Sequence, residues 1–463
     1  MTPVPRSVGL RVAIAVSVAC MTAMAIGAPS QTTKGTTMQS QAMPWHTPVP
    51  ADCPLVRSEF LKGVRLTGRH ANYTVTDYYD TSWAADGNLY GKCGDGALES
   101  EQLNVFNAGI VKIIGDDPLS LQYRYLGDFN VAPNPPNWHL DGVHMRRYGC
   151  ATLVKDGVWY YGVEDGWNTS SDYGVGRFWG FFVSRDFDRK VGSLCDFVDK
   201  KYWRLKDNPY WKDPQNQKVV RHPRTDRAAQ FPIYPDGKAP DGQGGFFREA
   251  PNAARIRNPH FVDLGKNGEW NRDGYVYMTC HGTEGPKTPE WANGDSVFLM
   301  RSKAKFDDII RPEGWRFYAG NGPSGRPTWS TKVSDARPLF TWTDKLGHAY
   351  VTYNKPLKRF IMCISPLSVT DNEIQQPRKL YSAEGCVMIE AEKLTGPWRI
   401  FQFLGGFGPN AYAMSMPSKF ISKDGKTAWL LYSAGWGAEA LKPNPEGSLY
   451  SSCWQEIKLD PAP

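Results

Sequence analysis

Two aspartates lie among aromatic side chains in the stretch TDYYDTSW, residues Thr76–Trp83. They precede an Asp-Gly pair, Asp86–Gly87, which is typical of a tight turn because glycine adopts positive φ without steric cost. We therefore assign Asp86 to a turn and treat Asp77 and Asp80 as candidate catalytic carboxylates. Paired carboxyl groups can cleave a glycosidic bond: one protonates the leaving oxygen, and the other acts as base or nucleophile. Asp77 is our candidate for the base or nucleophile.

Other polar and aromatic side chains near predicted strand ends could complete such a site. Glu164, in GVEDGW, and Asp335 are the candidate acid partners of Asp77. Each acid also has a structural alternative, since it could cap a turn or pair with arginine. The candidate substrate-binding residues are Trp83, His144, Arg147, Tyr148, Arg177, His260, His281, Trp342 and Tyr412. Their aromatic members could stack on the apolar face of a sugar ring.

The segment NWHLDGVHMRRYG, residues Asn137–Gly149, suggests a second chemistry. A polysaccharide lyase needs a positive group to neutralise a uronic acid carboxylate, and a His or Tyr base to remove the C5 proton. His144, Arg147 and Tyr148 supply those residue types. A lyase is therefore the alternative to a hydrolase, and a non-catalytic glycan-binding protein is the third hypothesis.

No cofactor is required by any of these reactions, but a structural calcium or zinc ion stays open. His260 and His281 flank a predicted hairpin, and Cys280 next to His281 makes a zinc site conceivable. Neighbouring strand residues face opposite sides, so at most one of Cys280 and His281 could join such a site. A structural role for the histidines is the favoured interpretation. The chain has no C-x-x-C pair, which leaves a thiolate zinc cage or redox motif without support.

A repeated turn unit predicts the elements that position these residues. In each copy a glycine separates two β-rich runs, and the run after it is aromatic. The copies are Asp86–Tyr90, Asp156–Tyr160, Asp273–Tyr277, Leu346–Tyr350 and Asp424–Trp429. Antiparallel sheets repeated in this way predict an all-β fold, a five-bladed β-propeller. A two-sheet sandwich or jelly roll is the alternative. The last strand, SSCWQEIKL at Ser451–Leu459, is expected to pair near the N-terminus, because an open ring would expose strand edges.

The N-terminal residues predict export. Arg6 and Arg11 precede an apolar run and a small-residue cleavage site, so we predict a signal peptide over residues 1–28 and a secreted or periplasmic protein. An uncleaved membrane anchor is the alternative. A polar stretch predicts a disordered lead-in over residues 29–58. Residues 59–463 are expected to form one propeller domain, with a loop insertion at about residues 187–256 between the second and third blades.

Charge and cysteine content narrow the partners. The net charge is +7 over 463 residues, with scattered basic residues and none of the usual nucleic-acid-binding motifs. We predict a monomer that binds a polysaccharide or oligosaccharide, with no nucleic acid and no membrane after signal cleavage. Nine cysteines are present, and eight remain if Cys20 leaves with the signal peptide. An even number in an exported chain favours disulfides.

Several motifs resemble a known group of exported bacterial proteins. They are TVTDYYDTSWAADGNLYGKCGDG, GCATLVKDGVWYYG, NPHFVDLGKNG, YVTYNKPLKRFIMCIS, AEKLTGPWRIF and PSKFISKDGKTAWLLYSA. The chain resembles the domain-of-unknown-function family 4185 over roughly Ala71 to Leu459, apart from the insertion. That family is similar to propeller glycosidases, among them endo-D-arabinanases and the arabinanases and xylosidases of family 43. The resemblance implies a five-bladed propeller with Asp77, in VTDYY, as a catalytic carboxylate. Ulvan lyases are also propellers, with a different number of blades.

Overall fold

The computed structural model describes residues 42–73, 75–97, 109–128, 144–168, 173–185, 219–221, 228–230, 246–247, 255–284, 294–368, 383–435 and 444–462. Contacts divide the chain into Met1–Gln31 and Thr32–Pro463, and every described residue belongs to the second unit. This unit is nearly all β. Its short helices are α1 (Phe306–Ile309) and the 3-10 turns Lys266–Gly268, Pro312–Gly314, Val333–Asp335 and Ser418–Phe420. In the described ranges, no helix has the length and apolarity to cross a membrane.

The strands follow one another in the chain as β1 (Met43–Pro44), β2 (Leu61–Asn72), β3 (Val75–Trp83), β4 (Leu89–Ala97), β5 (Gly109–Ile114), β6 (Gln122–Asp128), β7 (His144–Lys155), β8 (Val158–Asn168), β9 (Tyr173–Ser184), β10 (Val219–Arg221), β11 (Ala228–Gln230), β12 (Arg255–Phe261), β13 (Tyr275–Thr283), β14 (Gly294–Lys303), β15 (Trp315–Asn321), β16 (Pro327–Ser330), β17 (Phe340–Asn354), β18 (Arg359–Ser368), β19 (Ala383–Ala391), β20 (Arg399–Gly405), β21 (Tyr412–Ser415), β22 (Thr427–Ser433) and β23 (Cys453–Pro461). Their sequences are rich in the aromatic and β-branched residues that suit a pleated surface.

These strands form antiparallel sheets of sequential strands. One sheet has the order β3-β4-β5-β6, and another has the order β7-β8-β9. In the largest, β12-β13-β14 continues into β17-β18-β19-β20, and β15 and β16 extend it from β14. The last large sheet has the order β1-β2-β23-β22-β21, and β10 pairs with β11. The pairing of β23 with β2 confirms the prediction that the final strand joins residues near the N-terminus.

Five strands, which we call the inner strands, contact one another in a closed circle. They are β3, β7, β12, β17 and β21. Each contacts the next in this order, and β21 contacts β3. Hydrophobic clusters fill the spaces between neighbouring sheets. One of these clusters packs Phe178 and Phe181 of β9 against Trp315 of β15, and another packs Tyr79 of β3 against Trp454 of β23.

Four inner strands share a β-bulge at an equivalent place. The pairing register with the next strand shifts by one residue between Asp77 and Asp80, Gly149 and Thr152, Arg257 and His260, and Tyr412 and Ser415. In three of them the residue after the first position has positive φ: Tyr78 at 55°, Asn258 at 48° and Ala413 at 52°. An extra residue in a strand changes the direction of the side chains that follow it. Asp77 and Asp80, which an ideal strand would turn to opposite faces, thereby come to share one.

Most of the predicted turns form. Asp156 and Gly157, with φ of 50° and 74°, make a two-residue hairpin turn between β7 and β8. Gly87 lies in the turn between β3 and β4, as predicted. Gly425 and Gly274 lie in turns that lead into β22 and β13. The predicted turn at Leu346–Tyr350 is wrong, because β17 runs through it. The hairpin turn comes instead at residues 355–358, where Pro356 cannot continue a paired strand.

The predicted lead-in is packed where the structure describes it. In residues 42–58, β1 pairs with β2, and Thr47 Oγ1 donates a hydrogen bond to the Phe403 carbonyl at 2.6 Å. The prediction of a disordered segment over residues 29–58 is therefore wrong for residues 42–58. The predicted signal peptide lies outside the described residues, as does most of the predicted insertion. Within that insertion, Phe246 packs edge-on against Phe178 and Phe247 stacks on it.

The cysteines of the described residues are free thiols. They are Cys53, Cys93, Cys150, Cys280, Cys363, Cys386 and Cys453. The expected disulfides are thus not formed among these seven. All except Cys53 are buried, mostly in strands, where a thiol packs as a small apolar group. Burial raises the pKa of Cys363 to about 12, which disfavours the reactive thiolate.

Candidate functional site

The inner strands and their neighbours enclose a group of polar and aromatic side chains, which we call the central cluster. None of its members is more than 6% exposed. They are Asp77, Tyr78 and Asp80 of β3, Lys92 of β4, Glu164 of β8, Asn258 and His260 of β12, His281 of β13, His348 and Tyr350 of β17, and Tyr412 of β21. Burying so many polar groups costs free energy unless they bond to one another, so their mutual contacts define the site.

Asp77 is held by a residue from the opposite end of the chain. The Tyr412 hydroxyl of β21 donates a hydrogen bond to Asp77 Oδ2. Tyr412 packs with Tyr78 and Tyr350, and the half-buried Tyr148 of β7 lies against the same group. The structure therefore brings together three residues that the sequence analysis selected: Asp77, Tyr148 and Tyr412.

Asp80 has a histidine partner. Its Oδ2 lies 3.1 Å from His260 Nδ1, and both side chains are buried. Burial raises the pKa of Asp80 well above its usual value. Lys92, which is opposite Asp80 in the β3–β4 register, and the backbone N–H groups of Thr152 and Thr81 only partly oppose this. A carboxyl group with a raised pKa holds a proton that it can donate.

Glu164 is bound by the bulge of β12. The backbone N–H of Asn258, a residue with positive φ, donates to Glu164 Oε2 at 3.0 Å. The side-chain amide of Asn258 satisfies its neighbours when its nitrogen faces Glu164 and the Tyr78 hydroxyl, and it then donates to both. The backbone strain at Asn258 thus accompanies a specific contact to a buried acid, as strain often does at functional sites.

Lys92 is the shared neighbour of all three acids, and it was not among the predicted site residues. Its Nζ lies over the Tyr78 ring, 2.6 Å from the centroid, and its side chain is fully buried. Burial lowers the pKa of Lys92 to about 7, although Asp80, Glu164 and Asp77 partly offset the effect. A single lysine in the strand LYGKCG gave no signal by itself. Its contact with the acids follows from its position opposite Asp80 in the pairing of β3 with β4.

Three imidazoles lie beside these acids. His260 Nε2 is 3.3 Å from His348 Nδ1, and the rings of His348 and His281 have centroids 5.8 Å apart. His260 also stacks on Tyr350, with 3.8 Å between centroids. Burial lowers the pKa of both His260 and His348 well below the usual range, so both rings are neutral. No sequence signal marked His348 and Tyr350 as site residues, because both lie in a stretch that was predicted to be a turn.

Other predicted site residues have different surroundings. Asp335 is exposed in a 3-10 turn, where its carboxylate accepts a hydrogen bond from Ser330 Oγ at 2.6 Å. Trp342 is buried in a hydrophobic cluster formed largely by strands of the largest sheet, and it donates to Asp52 at 3.0 Å. Trp83 donates to the Gly87 carbonyl at the turn end of β3. The structure does not bring these three into the central cluster. The side chains of His144, Arg147 and Arg177 lie outside the described part of the chain.

Within the described residues, the histidines and Cys280 do not converge on a shared zinc site. Among the residues that the structure describes, no three or more of the His, Cys, Asp and Glu side chains are grouped so as to hold a metal ion. His260 and His348 bond to each other, whereas zinc ligands converge on one ion with nitrogens about 2.0–2.1 Å from it. Cys280, next to His281, directs its thiol to the Phe298 carbonyl.

Comparisons with known proteins give a fold-level resemblance. No family model matches the chain, and no curated protein does. A putative hydrolase from Bacteroides ovatus is 10% identical, with 89% of this chain and 96% of that chain covered and a TM-score of 0.43. A GH43_1 enzyme from Xanthomonas citri is 11% identical, with 84% and 89% covered and a TM-score of 0.37. An alpha-L-arabinofuranosidase from Podospora anserina, in complex with cellotriose, is 11% identical, with 89% and 96% covered and a TM-score of 0.36. These values are too low to assign a family or an activity.

Proposed function

We propose that this chain is a glycoside hydrolase built on a five-bladed β-propeller, with its active site at the central cluster. The closed circle of inner strands supports the five-bladed arrangement. Four of these strands lie at the end of their sheet, and β17 begins the series β17-β18-β19-β20 within the largest sheet. The equivalent bulges in four of these strands also support a repeated unit. A propeller directs the ends of its inner strands to one small pocket, which suits a sugar-sized ligand.

One observation carries the proposed chemistry: three carboxyl groups from two sheets are buried around Lys92, and each has a hydrogen-bond partner from a different sheet. Asp77 has Tyr412, Asp80 has His260, and Glu164 has Asn258. Different surroundings push the pKa values of neighbouring carboxyl groups apart, and glycosidases use such differences to assign the acid and the base.

The surroundings suggest a role for each acid. Asp80, whose pKa is raised, is the proton donor to the leaving glycosidic oxygen. Asp77, which accepts a hydrogen bond from Tyr412, is the carboxylate that acts as base or nucleophile. Glu164 accepts hydrogen bonds from Asn258 and shares Lys92 with the other two, so it balances the lysine charge. The bulge at Tyr78 is what lets Asp77 and Asp80 face the same cluster from one strand.

A polysaccharide panel tests the proposal. Arabinans, xylans, galactans and ulvan would each be incubated with the full chain and assayed for new reducing ends and for ultraviolet absorbance. We expect reducing ends without absorbance, and their loss in Asp77→Asn at an unchanged melting temperature. Absorbance would indicate a lyase, because elimination leaves a double bond. Binding without either product would indicate a glycan-binding protein, and full activity in Asp77→Asn would remove that residue from the mechanism.

A further inference from the structure

We propose that Asn258 is a positioning residue of the active site, which fixes Glu164 as the buried counter-charge of Lys92. It also ties Glu164 to the bulge of β3 through Tyr78. The inference deepens the proposed function and rests on it, because a positioning role has meaning only if the neighbouring acids cleave a substrate. Asn258 is fully buried, so it acts on the reaction through the side chains that it holds.

Asn258 joins three sheets at one point. It lies on β12, and its backbone N–H donates to Glu164 Oε2 of β8 at 3.0 Å. Its side-chain amide donates to the second oxygen of the same carboxylate and to the Tyr78 hydroxyl of β3. Glu164 is only 1% exposed, so these N–H groups take the place of the water that a carboxylate normally binds. Both oxygens of Glu164 are thereby held by one residue from a neighbouring sheet.

The backbone at this point explains why the residue is asparagine. Asn258 has φ of 48°, a left-handed conformation that glycine, asparagine and aspartate adopt more readily than other residues. Glycine would keep the backbone N–H but would lose the side-chain donors, and aspartate would bring a second carboxylate against Glu164. Asparagine meets both requirements. Pro259 follows it in the bulge, where a missing backbone N–H does not interrupt the ladder.

The charges around Glu164 give this contact its effect on the reaction. The titratable groups that face it are Lys92 of β4, Tyr78 of β3, Tyr148 and Cys150 of β7, and Tyr350 of β17. Burial raises the pKa of the Cys150 thiol and of both buried tyrosines well above the usual values, so these groups are neutral. A fixed anion at Glu164 then offsets the charge of Lys92, which would otherwise favour the ionised form of Asp80. Asp80 thus keeps the proton that the proposed reaction needs.

Two substitutions at Asn258 test the role through the pH dependence of activity. Asn258→Gly keeps the backbone conformation and its N–H but removes the amide, so kcat on the best substrate of the panel should fall about 10- to 100-fold with KM unchanged. Asn258→Asp places two carboxyl groups in contact. At pH 8 both tend to ionise, and the loss of kcat should exceed that of Asn258→Gly. At pH 5 the two groups share a proton, which restores a hydrogen bond and a single negative charge, so kcat should recover to above that of Asn258→Gly.

Asn267 offers the matched control. It too has positive φ, at 53°, and its amide donates to the carboxylate of Asp156 at 3.0 Å, but Asp156 is an exposed turn residue outside the central cluster. Asn267→Gly and Asn267→Asp should leave kcat and its pH dependence as in the wild type. A wild-type kcat in Asn258→Gly, or a ratio between the two Asn258 variants that does not change with pH, would overturn the positioning role.

Urea unfolding tests the same contact without a substrate. Two carboxyl groups that touch out of water cannot both ionise without cost, so folded Asn258→Asp holds a proton that its unfolded chain has released at pH 5 and above. Its unfolding midpoint, relative to that of the wild type at the same pH, should therefore fall as the pH rises from 5 to 8, and it should fall more than that of Asn258→Gly. Asn267→Asp should stay parallel to the wild type. An Asn258→Asp midpoint that also stays parallel would show that Asn258 does not hold an ionised Glu164.

The two tests separate failure of the positioning role from failure of the proposed function. If the wild-type chain cleaves no polysaccharide in the panel, the hydrolase proposal fails, and urea unfolding still shows whether Asn258 holds Glu164 as an anion. If the wild type is active and the two Asn258 variants show the same pH dependence, only the positioning role fails.

Discussion

Asp80 and Asp86 are six residues apart in the same strand and turn, yet their surroundings differ completely. Asp86 is exposed and accepts hydrogen bonds from the Asn88 backbone and side chain and from Tyr90, with Lys112 Nζ 3.2 Å away. Partial burial opposes its ionisation, but these donors outweigh the effect and lower the pKa of Asp86 to about 2. At Asp80, burial outweighs the donors and raises the pKa.

Residue type alone therefore does not separate a buried acid of the central cluster from a turn acid. What separates them is the balance between lost hydration and the number of donors that the fold supplies. The turn end of β3 supplies several donors and leaves the carboxylate in water. The central end supplies fewer donors and excludes water, which suits a group that must hold and release a proton.

The largest expected difference between the two aspartates is in activity. Asp80→Asn should reduce kcat about 10²- to 10⁴-fold, because the amide cannot donate a proton to the leaving oxygen. Asp86→Asn should retain wild-type activity, since Asp86 serves only the turn. Reducing-end assays on the best substrate of the panel check both. Equal losses in the two variants would mean that the turn and the cluster are not distinct in function.

The second expected difference is in how stability depends on pH. The folded pKa of Asp80 lies above its unfolded value of 3.8, so its contribution is fully present below pH 3.8 and is lost as the pH rises through the folded pKa. The folded pKa of Asp86 is about 2, so its contribution is present above pH 3.8 and is lost as the pH falls towards 2. As the pH rises from 4 to 8, the unfolding free energy of Asp80→Asn should therefore increase by about 1–3 kcal/mol relative to that of the wild type.

Urea unfolding at pH 2, 4, 6 and 8 measures this dependence. The matched variant, Asp86→Asn, should show a deficit that shrinks as the pH falls from 4 to 2. A loss of stability in Asp80→Asn at pH 8 would show that the ionised Asp80–Lys92 pair stabilises the fold, which would reverse the interpretation of the site.

The turns, the closing strand and the candidate acids depend on local residue patterns, and these features were predicted from the sequence. The Asp-Gly turns at Gly87 and Gly157 follow from the conformational freedom of glycine, and the closing strand follows from the need to cover an edge. Asp77 and Asp80 were selected because they precede a turn among aromatic residues. Lys92 and His348 were missed, because their role depends on strand register and on contacts between distant strands. No pattern in the sequence marked the bulge at Tyr78, which depends on how β3 pairs with β4.

The third expected effect concerns the turn alone. Asp86→Ala removes the acceptor of the Asn88 and Tyr90 hydrogen bonds, and it leaves Lys112 without this carboxylate. Because the carboxylate is exposed and screened by water, we expect a loss of only about 1 kcal/mol in unfolding free energy at pH 7. Denaturant unfolding measures the loss, and Asp86→Asn, which keeps an oxygen acceptor, should lose less. If Asp86→Ala lost more unfolding free energy than is expected for a substitution in the core, the turn would stabilise the whole sheet β3-β4-β5-β6.

The smallest expected effect concerns the bulges of the inner strands, where residues other than glycine adopt positive φ. The turn between β7 and β8 adopts positive φ at Asp156 and at Gly157, whereas the bulge of β21 adopts it at the buried Ala413, with φ of 52°. Ala413→Gly relieves a left-handed cost of about 1–2 kcal/mol. It also removes a buried methyl group worth about 0.8 kcal/mol and adds freedom to the unfolded chain worth about 0.4–1 kcal/mol.

These terms nearly cancel, so the unfolding free energy of Ala413→Gly should stay within about 0.5 kcal/mol of wild type. Ala428→Gly in β22, equally buried but not among the residues with positive φ, has no strain to relieve and should lose more than 1 kcal/mol. Denaturant unfolding of the two variants side by side measures the difference. If Ala413→Gly lost as much as Ala428→Gly, the bulge of β21 would store no backbone strain.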